Sequence, residues 1–400
     1  MSMLDLPDSV TFNFPTPILF GLGVRREIGS YLKENGLSRP LIVTDEGIAP
    51  LPMLHDLKVL LEGDGLEPQV FSDMGGNPVK THVTKGVDAY RAGNCDSIIA
   101  VGGGAPLDVA KVVGLMIHHP GDLYDYEDGN PDAPPVDQHM PLLVAVPTTA
   151  GTGSEVGRSS VISEDDTGVK RIIFSPRLMP AKVFADPELT LGLPAKITAA
   201  TGLDALTHLL EAYLSNGYHP MCDGIALEGI RMVHDSLKQC VDFAMLDEDE
   251  LDIEGEMGLE AHARARSEML LAALMGAVAF QKGLGVNHSC AHALSTVCDM
   301  HHGLANAMML PFCMDFNERA VPEKFRKIEQ AAGIPDGQFA VWLRHLKGDL
   351  GVPEGLCQLG VTEEMVDELV AVAMKDPCHQ SNPCPVTEDD FRNMFILALE

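Results

Sequence analysis

Two hydrophobic rhythms divide the chain. In the first half, short runs of consecutive apolar residues end in turn-forming chemistry: Leu41-Ile-Val-Thr-Asp45, Ser97-Ile-Ile-Ala-Val101 and Leu142-Leu-Val-Ala-Val-Pro147. Runs that are apolar without alternation are characteristic of strands buried on both faces, as in parallel sheets. Helical patterns such as Val83 to Ala92 lie between them. The succession predicts an open α/β sheet with ligands at the carboxyl ends of the strands, and all three strand exits are rich in Gly, Asp or Thr. From about Ala195 the rhythm changes to long helical patterns, Ile197 to Leu214, Cys222 to Leu246 and His262 to Gln281. An α/β domain over residues 1–192 followed by an all-α domain over 193–400 is therefore expected, with the boundary near Leu191 to Pro194.

Composition narrows the function. At 400 residues and 46% hydrophobic content the chain can build a large core. Its 58 acidic and 28 basic residues give a net charge of −30, which repels phosphate backbones and anionic bilayers, so neither nucleic acid nor a membrane is an expected partner. The acidity reads as a solvated surface or as adaptation to salt. The longest apolar run, Met269 to Phe280, has 12 residues, short of the roughly 20 needed for a membrane span. The first residues, Met1-Ser-Met-Leu-Asp-Leu-Pro-Asp8, lack the basic start and apolar stretch of a signal peptide, which predicts a cytoplasmic protein. Nine cysteines, an odd number without a CxxC pair, predict mostly reduced, buried thiols. The stretch Asp247 to Glu256, seven acids and no base, reads as a solvated loop and lacks the ligand order of a calcium site.

Two strand exits carry candidate phosphate chemistry. The segment Gly102-Gly-Gly-Ala-Pro-Leu-Asp-Val-Ala-Lys111 joins a strand to a helix through three glycines. Its backbone can approach a pyrophosphate closely, and the helix start favours anions. It is not a GxGxxG fingerprint, and a merely tight turn would look the same. The second exit, Pro147-Thr-Thr-Ala-Gly-Thr-Gly-Ser-Glu155, adds hydroxyls and two more glycines, which strengthens the case for a dinucleotide. At the third exit Asp45 can accept hydrogen bonds from an adenosine ribose and would repel a 2′-phosphate, which favours NAD over NADP; its alternative role is to cap the following helix.

The helical half carries candidate metal chemistry. Asp204 and His208, at i and i+4, share a helix face. Downstream, His288, His292, His301 and His302 fall within 15 residues. A histidine cluster plus an acid–His pair in one helical domain points to a metal, and the donor types suit Zn or Fe(II). Cys290 and Cys298 are further possible ligands, though buried structural thiols are the commoner case.

Taken together, these motifs resemble the iron-containing (group III) alcohol dehydrogenases over nearly the whole chain. The likeness is carried by Asn77-Pro78, Cys95 to Lys111, Pro147 to Glu155, Ala200-Thr-Gly-Leu-Asp-Ala-Leu-Thr-His208 and His301-His-Gly-Leu-Ala-Asn-Ala307. The resemblance implies that Asp204, His208, His288 and His302 hold the metal, Fe2+ or alternatively Zn2+, and that His292 lies near the nicotinamide without ligating. It also implies that NAD(H) is surrounded by Asp45, Asn77, Gly102, Gly103, Gly104, Asp108, Thr148, Thr149, Thr152 and Lys170. A homodimer or larger homo-oligomer is a further implication. The sequence departs from the family at His292-Ala-Leu-Ser295, where His-Pro-Leu-Gly is usual, at Asn287, and at Ala105, where Ser is common.

The expected fold is thus an α/β dinucleotide-binding domain followed by a helical metal-binding domain. The expected reaction is hydride transfer between nicotinamide C4 and a small primary alcohol or aldehyde whose oxygen the metal activates. His292 is the candidate for carrying the proton to solvent, and a supporting hydrogen bond behind the metal ligands is its equally weighted alternative. Val286, Ala291 and Leu294 are expected to give the substrate region an apolar lining that discriminates only weakly. A dehydroquinate-synthase-like lyase would need a basic pocket, and few Lys or Arg lie near the histidines. A catalytically silent scaffold of the same fold is countered by the complete ligand set.

Overall fold

The computed structural model describes residues 12–246 and 248–400, with the side chains of 248, 249, 251–254 and 256 outside the description. Two compact units result, Pro15–Leu193 and Pro194–Glu400, the latter joined by residues 12–14.

In the first unit, strands and helices alternate: β1 (Ile18–Phe20), α1 (Ile28–Glu34), β2 (Pro40–Val43), α2 (Pro52–Gly63), β3 (Gln69–Phe71), α3 (Lys80–Ala92), β4 (Ser97–Gly102), α4 (Gly104–Met116) and β5 (Leu142–Pro147). A hairpin of β6 (Ser159–Ser163) and β7 (Lys170–Phe174) follows, then β8 (Lys182–Ala185). Six strands form one parallel sheet in the order β1-β8-β5-β4-β2-β3. The three apolar runs read from the sequence are its central strands; β2 and β4 are buried at every position, which is why they show no alternation. The strands that pattern reading did not find are the three-residue edges β1 and β3, the four-residue β8, and the antiparallel hairpin β6–β7, which pairs outside the main sheet. The core between sheet and helices is built from Ile28, Leu32, Ile42, Leu57, Ile99, Val144 and Phe184.

Strand order fixes where a ligand can bind. From β2 the chain moves outward to β3, returns to β4 on the other side of β2, and then moves the opposite way to β5. The carboxyl ends of β2 and β4 therefore flank a reversal of winding, the usual position of a ligand crevice in open α/β sheets.

The second unit is helical: α5 (Ala195–Leu214), α6 (Pro220–Met245), α7 (Glu248–Ala279), α8 (Val286–Cys298), α9 (His302–Ala320), α10 (Pro322–Ala332), α11 (Phe339–Asp349), α12 (Val366–Ala373) and α13 (Glu388–Leu399). Helix α5 is buried almost all round from Thr198 onward. The acidic stretch expected to be a loop is a correction: its backbone is helical from Glu248, broken at Gly255 with φ 63°, while Asp247 lies outside the described residues. Glu is a strong helix former, and Glu248, Glu250 and Glu254 supply that propensity before the break. All nine cysteines are free thiols, five of them buried and Cys357 exposed. No single helix among the described residues is long and apolar enough to cross a membrane.

Candidate functional site

The glycine turn and the threonine turn form one surface in the sheet unit. Strand β4 ends at Gly102 with φ 149°, and α4 starts without a side-chain cap on Gly103, leaving its first-turn N–H groups available to an anion. A Cβ added at Gly103 would lie 3.2 Å from Thr149 Oγ1, and one at Gly104 2.9 Å from Thr152 Cγ2. The Thr148 N–H donates to Gly102 O at 3.0 Å. Asp45 borders the same surface: its Oδ1 accepts from Ile48 N at 2.9 Å within the turn that precedes α2, so it does not cap that helix, whose N-cap is Leu51, and Ile48 Cδ1 would stand 3.3 Å from a Gly102 Cβ. Asn77 and Lys170 are brought near one another through Ser163, whose N–H donates to Pro78 O at 2.8 Å and which pairs with Lys170 across the hairpin.

Asp108, expected beside the nucleotide, is held by the protein itself. Its Oδ1 accepts from Ser154 Oγ at 2.5 Å and its Oδ2 from Val161 N at 2.9 Å, so both oxygens bond within the protein. Beside it the buried Lys111 ammonium donates to Ser154 Oγ at 2.7 Å and to Ser159 O at 2.8 Å. Together they tie α4 to the threonine turn. Glu155, which pattern reading did not single out, is buried next to them, and burial pushes its carboxyl up to about 7.

In the helical unit, Asp204, His208, His288 and His302 converge: one ligand atom from each lies within 4.8 Å of the others. Helix α5 supplies Asp204 and His208 from successive turns, α8 supplies His288 and the first residue of α9 supplies His302. The close approach depends on Gly303, where a Cβ would be 2.6 Å from Ala200 O. The rings of His208 and His288 stack at 4.7 Å, and His302 Nε2 stands 3.5 Å from Asp204 Oδ1. Tetrahedral ligands about 2.1 Å from an ion are separated by about 3.4 Å, so this set of three imidazoles and one carboxylate fits a divalent zinc-like or iron-like cation. Burial pushes His288 down to about 4, so the imidazole is neutral near pH 7, the form that can ligate.

Several residues that sequence reasoning missed hold this set in place. Glu211, on the Asp204–His208 face of α5, accepts from Gly285 N at 2.9 Å, Asn287 N at 2.6 Å and His288 N at 3.3 Å, and from His288 Nδ1 at 2.6 Å. It thus caps α8 and leaves His288 Nε2 as the lone-pair atom. Burial raises its carboxyl to about 7. Asn287 donates to Asn306 Oδ1 at 2.9 Å and Asn306 Nδ2 to Asp204 Oδ1 at 2.6 Å, so the Asn287 departure from the family pattern orients a candidate ligand. The spacing Asp204, His208, Glu211 (i, i+4, i+7) was the available signal for Glu211. Asn287 and Asn306 had none.

His292 lies outside the four-donor set, its ring 5.3 Å from that of His302 and 6.0 Å from that of His288. His301 is exposed. Cys290 is buried and Cys298 half-buried, and neither belongs to the four-donor set. The expected lining by Val286, Ala291 and Leu294 is corrected: all three are fully buried because α8 is an internal helix, so they offer no surface to a ligand. Phe280, half-buried against His208 at 5.1 Å, is an apolar group that keeps some exposure.

Comparison with known proteins identifies the family. Residues 15–187 match the family model for iron-containing alcohol dehydrogenase, and residues 198–399 match that for the C-terminal domain of the Fe-containing alcohol dehydrogenase family. The chain is 36% identical to a 4-hydroxybutyrate dehydrogenase of Cupriavidus necator over 390 residues, covering 95% of this chain and 97% of that one. Among solved structures it resembles a 1,3-propanediol oxidoreductase (TM-score 0.88, 34% identity, 98% and 100% covered). It also resembles the sulfoacetaldehyde reductase of Bifidobacterium kashiwanohense in complex with NAD+ (TM-score 0.86, 28% identity, 98% and 99% covered). Two family models spanning both units, together with the converging donors, show that the chain belongs to the iron-containing alcohol dehydrogenase family, oxidoreductases acting on CH–OH groups.

Proposed function

We propose that this protein interconverts a small primary alcohol and its aldehyde with NAD(H), using one divalent cation held by Asp204, His208, His288 and His302, with iron favoured and zinc as the alternative. The observation that carries this reading is the convergence of those four donors within 4.8 Å. Residues 1–192 then serve as the NAD-binding domain and 193–400 as the metal-binding domain. Gly102 to Gly104, Thr148, Thr149 and Thr152 are assigned to the pyrophosphate, Asp45 to the adenosine ribose, and Asn77 and Lys170 to its surroundings. Asp108 acts behind the turn. When bound, the metal supplies Lewis acidity toward the alcohol or carbonyl oxygen, and the nicotinamide accepts or returns a hydride at C4. His292 takes up the hydroxyl proton during oxidation and passes it to solvent, to which it is partly exposed. Glu211 and Asn306 fix the orientation of His288 and Asp204. A cytoplasmic homo-oligomer remains part of this reading.

The test is NADH turnover by the metal-loaded protein over short alcohols, diols, hydroxy acids and their aldehydes. Each methylene accommodated in an apolar site is worth about 1–3 kcal/mol, which predicts a graded preference across chain lengths. A preference of about a hundredfold or more for a phosphorylated hydroxy-aldehyde would overturn the substrate assignment, because an anion left unpaired is costly to desolvate.

A further inference from the structure

We propose that Asp376 is a positioning residue that holds His292 in one ring orientation and one tautomer, with the proton on Nδ1, so that Nε2 is the atom that exchanges protons with substrate. The inference rests on the proton-carrying reading of His292 and names the group that makes it work.

Asp376 follows α12 and is linked to its end, its N–H donating to Ala373 O at 3.2 Å. Its two oxygens do different things. Oδ1 accepts from Ser289 Oγ at 2.8 Å and from Cys378 N at 2.9 Å, while Oδ2 faces His292 Nδ1 at 2.7 Å. Ser289 Oγ also accepts from His379 N at 3.0 Å, so its single proton is committed to Asp376. Oδ1 is therefore an acceptor in both of its contacts, and against burial the His292 contact first, then these two donors, hold the carboxyl well below the usual carboxylate range. Facing an ionised acceptor, His292 must carry hydrogen on Nδ1, which leaves the Nε2 lone pair as the basic site of the neutral ring. Ser289 and His292 lie one turn apart on α8, so the carboxylate grips two points of the helix that also carries His288. The Oδ1 contacts anchor the chain after α12 and the Oδ2 contact orients the imidazole, so anchoring and orientation can be tested separately.

Asp376→Asn is the discriminating variant. An Asn that keeps its carbonyl toward Ser289 and Cys378 presents an NH2 to His292 Nδ1, which must then accept, and the ring proton moves to Nε2. The first readout needs neither metal nor cofactor: 15N spectra of histidine-labelled, metal-free protein should report the Nδ1–H tautomer at His292 in the parent and Nε2–H in the variant. In the loaded enzyme kcat should fall about a hundredfold, within the usual range for a lost proton-transfer group, with KM for the aldehyde and bound metal changed by less than about threefold. His292→Gln should lose a similar factor, and the double variant should be no worse than either single one. Ser289→Ala, which removes an anchor and leaves the imidazole contact, should retain the parent tautomer and lose less activity than Asp376→Asn. An unchanged tautomer in Asp376→Asn, or a loss in Ser289→Ala as large as in Asp376→Asn with the tautomer retained, would overturn the proposal. An inactive His292→Gln beside a fully active Asp376→Asn would also defeat it while sparing the His292 assignment. A fully active His292→Gln would overturn that assignment and with it the catalytic consequence of Asp376.

Discussion

Replacing Glu211 tests whether the metal site is built by its ligands alone. Its carboxylate receives four hydrogen bonds, three from backbone N–H groups at the start of α8 and one from His288 Nδ1. Glu211→Ala would leave all four donors buried and unmatched at about 1–3 kcal/mol each, a sum comparable to the whole stability of a typical domain, about 5–15 kcal/mol. Glu211→Gln is the informative change. Its single carbonyl can replace Oε2, which serves Gly285 and His288, but the amide NH2 then meets Asn287 N–H where Oε1 accepted at 2.6 Å. One charge-assisted bond is lost, about 1.5–3 kcal/mol, offset in part because a carboxylate no longer has to be buried. His288 also loses its anionic partner, and loss of such a partner typically weakens metal binding by about 10–100-fold, equivalent to about 1.4–2.7 kcal/mol. Competition with a chelator of known affinity, read alongside thermal unfolding of the metal-free protein, separates the two effects. Metal affinity within about twofold of the parent, whatever the change in stability, would refute the claim that Glu211 tunes His288.

Three further outcomes are expected. His208→Ala should abolish stoichiometric metal and NADH turnover while leaving the far-ultraviolet circular dichroism unchanged; full metal occupancy would refute the ligand assignment. Asp45→Gly should raise the use of NADP(H) relative to NAD(H), since a 2′-phosphate beside a carboxylate can cost several kcal/mol, and Asp45→Asn should do the same while keeping an acceptor for Ile48 N–H; a parent enzyme that already prefers NADP(H) would contradict the role of Asp45. His262 is buried, accepts from Arg266 Nε at 3.0 Å, and is pushed from 6.5 down to about 4, chiefly by burial. Between those values the unfolded chain binds a proton that the folded chain does not, so stability falls as pH drops through this window, by about 2 kcal/mol from about pH 7 to about pH 5. Urea midpoints of the parent and His262→Gln should converge as the pH is lowered, and parallel pH profiles would show that His262 does not contribute.

Much of the molecule was legible because the informative signals were local. Continuous apolar runs marked the central strands, and the i, i+4 spacing of Asp204 and His208 marked the helix face that meets His288 and His302. What was not legible depended on distant pairing. The three-residue strands β1 and β3 are too short to show a rhythm and are defined by their neighbours. Asp376 lies 84 positions from His292, Asn306 lies 102 from Asp204, and neither stands in a pattern that a single sequence distinguishes from an ordinary polar residue. Glu211 could have been inferred by extending the α5 face one turn, whereas its four donors become apparent only when α8 is in place. Val286, Ala291 and Leu294 were misread because an apolar residue beside a ligand was equated with an apolar pocket wall, when those positions pack into the helical core.

The packing of the glycine turn has a consequence for how such motifs are interpreted. Gly103 and Gly104 face Thr149 and Thr152 so closely that a methyl group at either position would crowd the neighbouring turn before any ligand arrived. Packing by itself therefore favours glycine here, most at Gly104, and a descendant that had lost its nucleotide could retain the signature. In this fold the presence of the glycines reports that the two turns still dock, and nucleotide occupancy has to be read from groups that the folded chain can do without, such as the charge on Asp45.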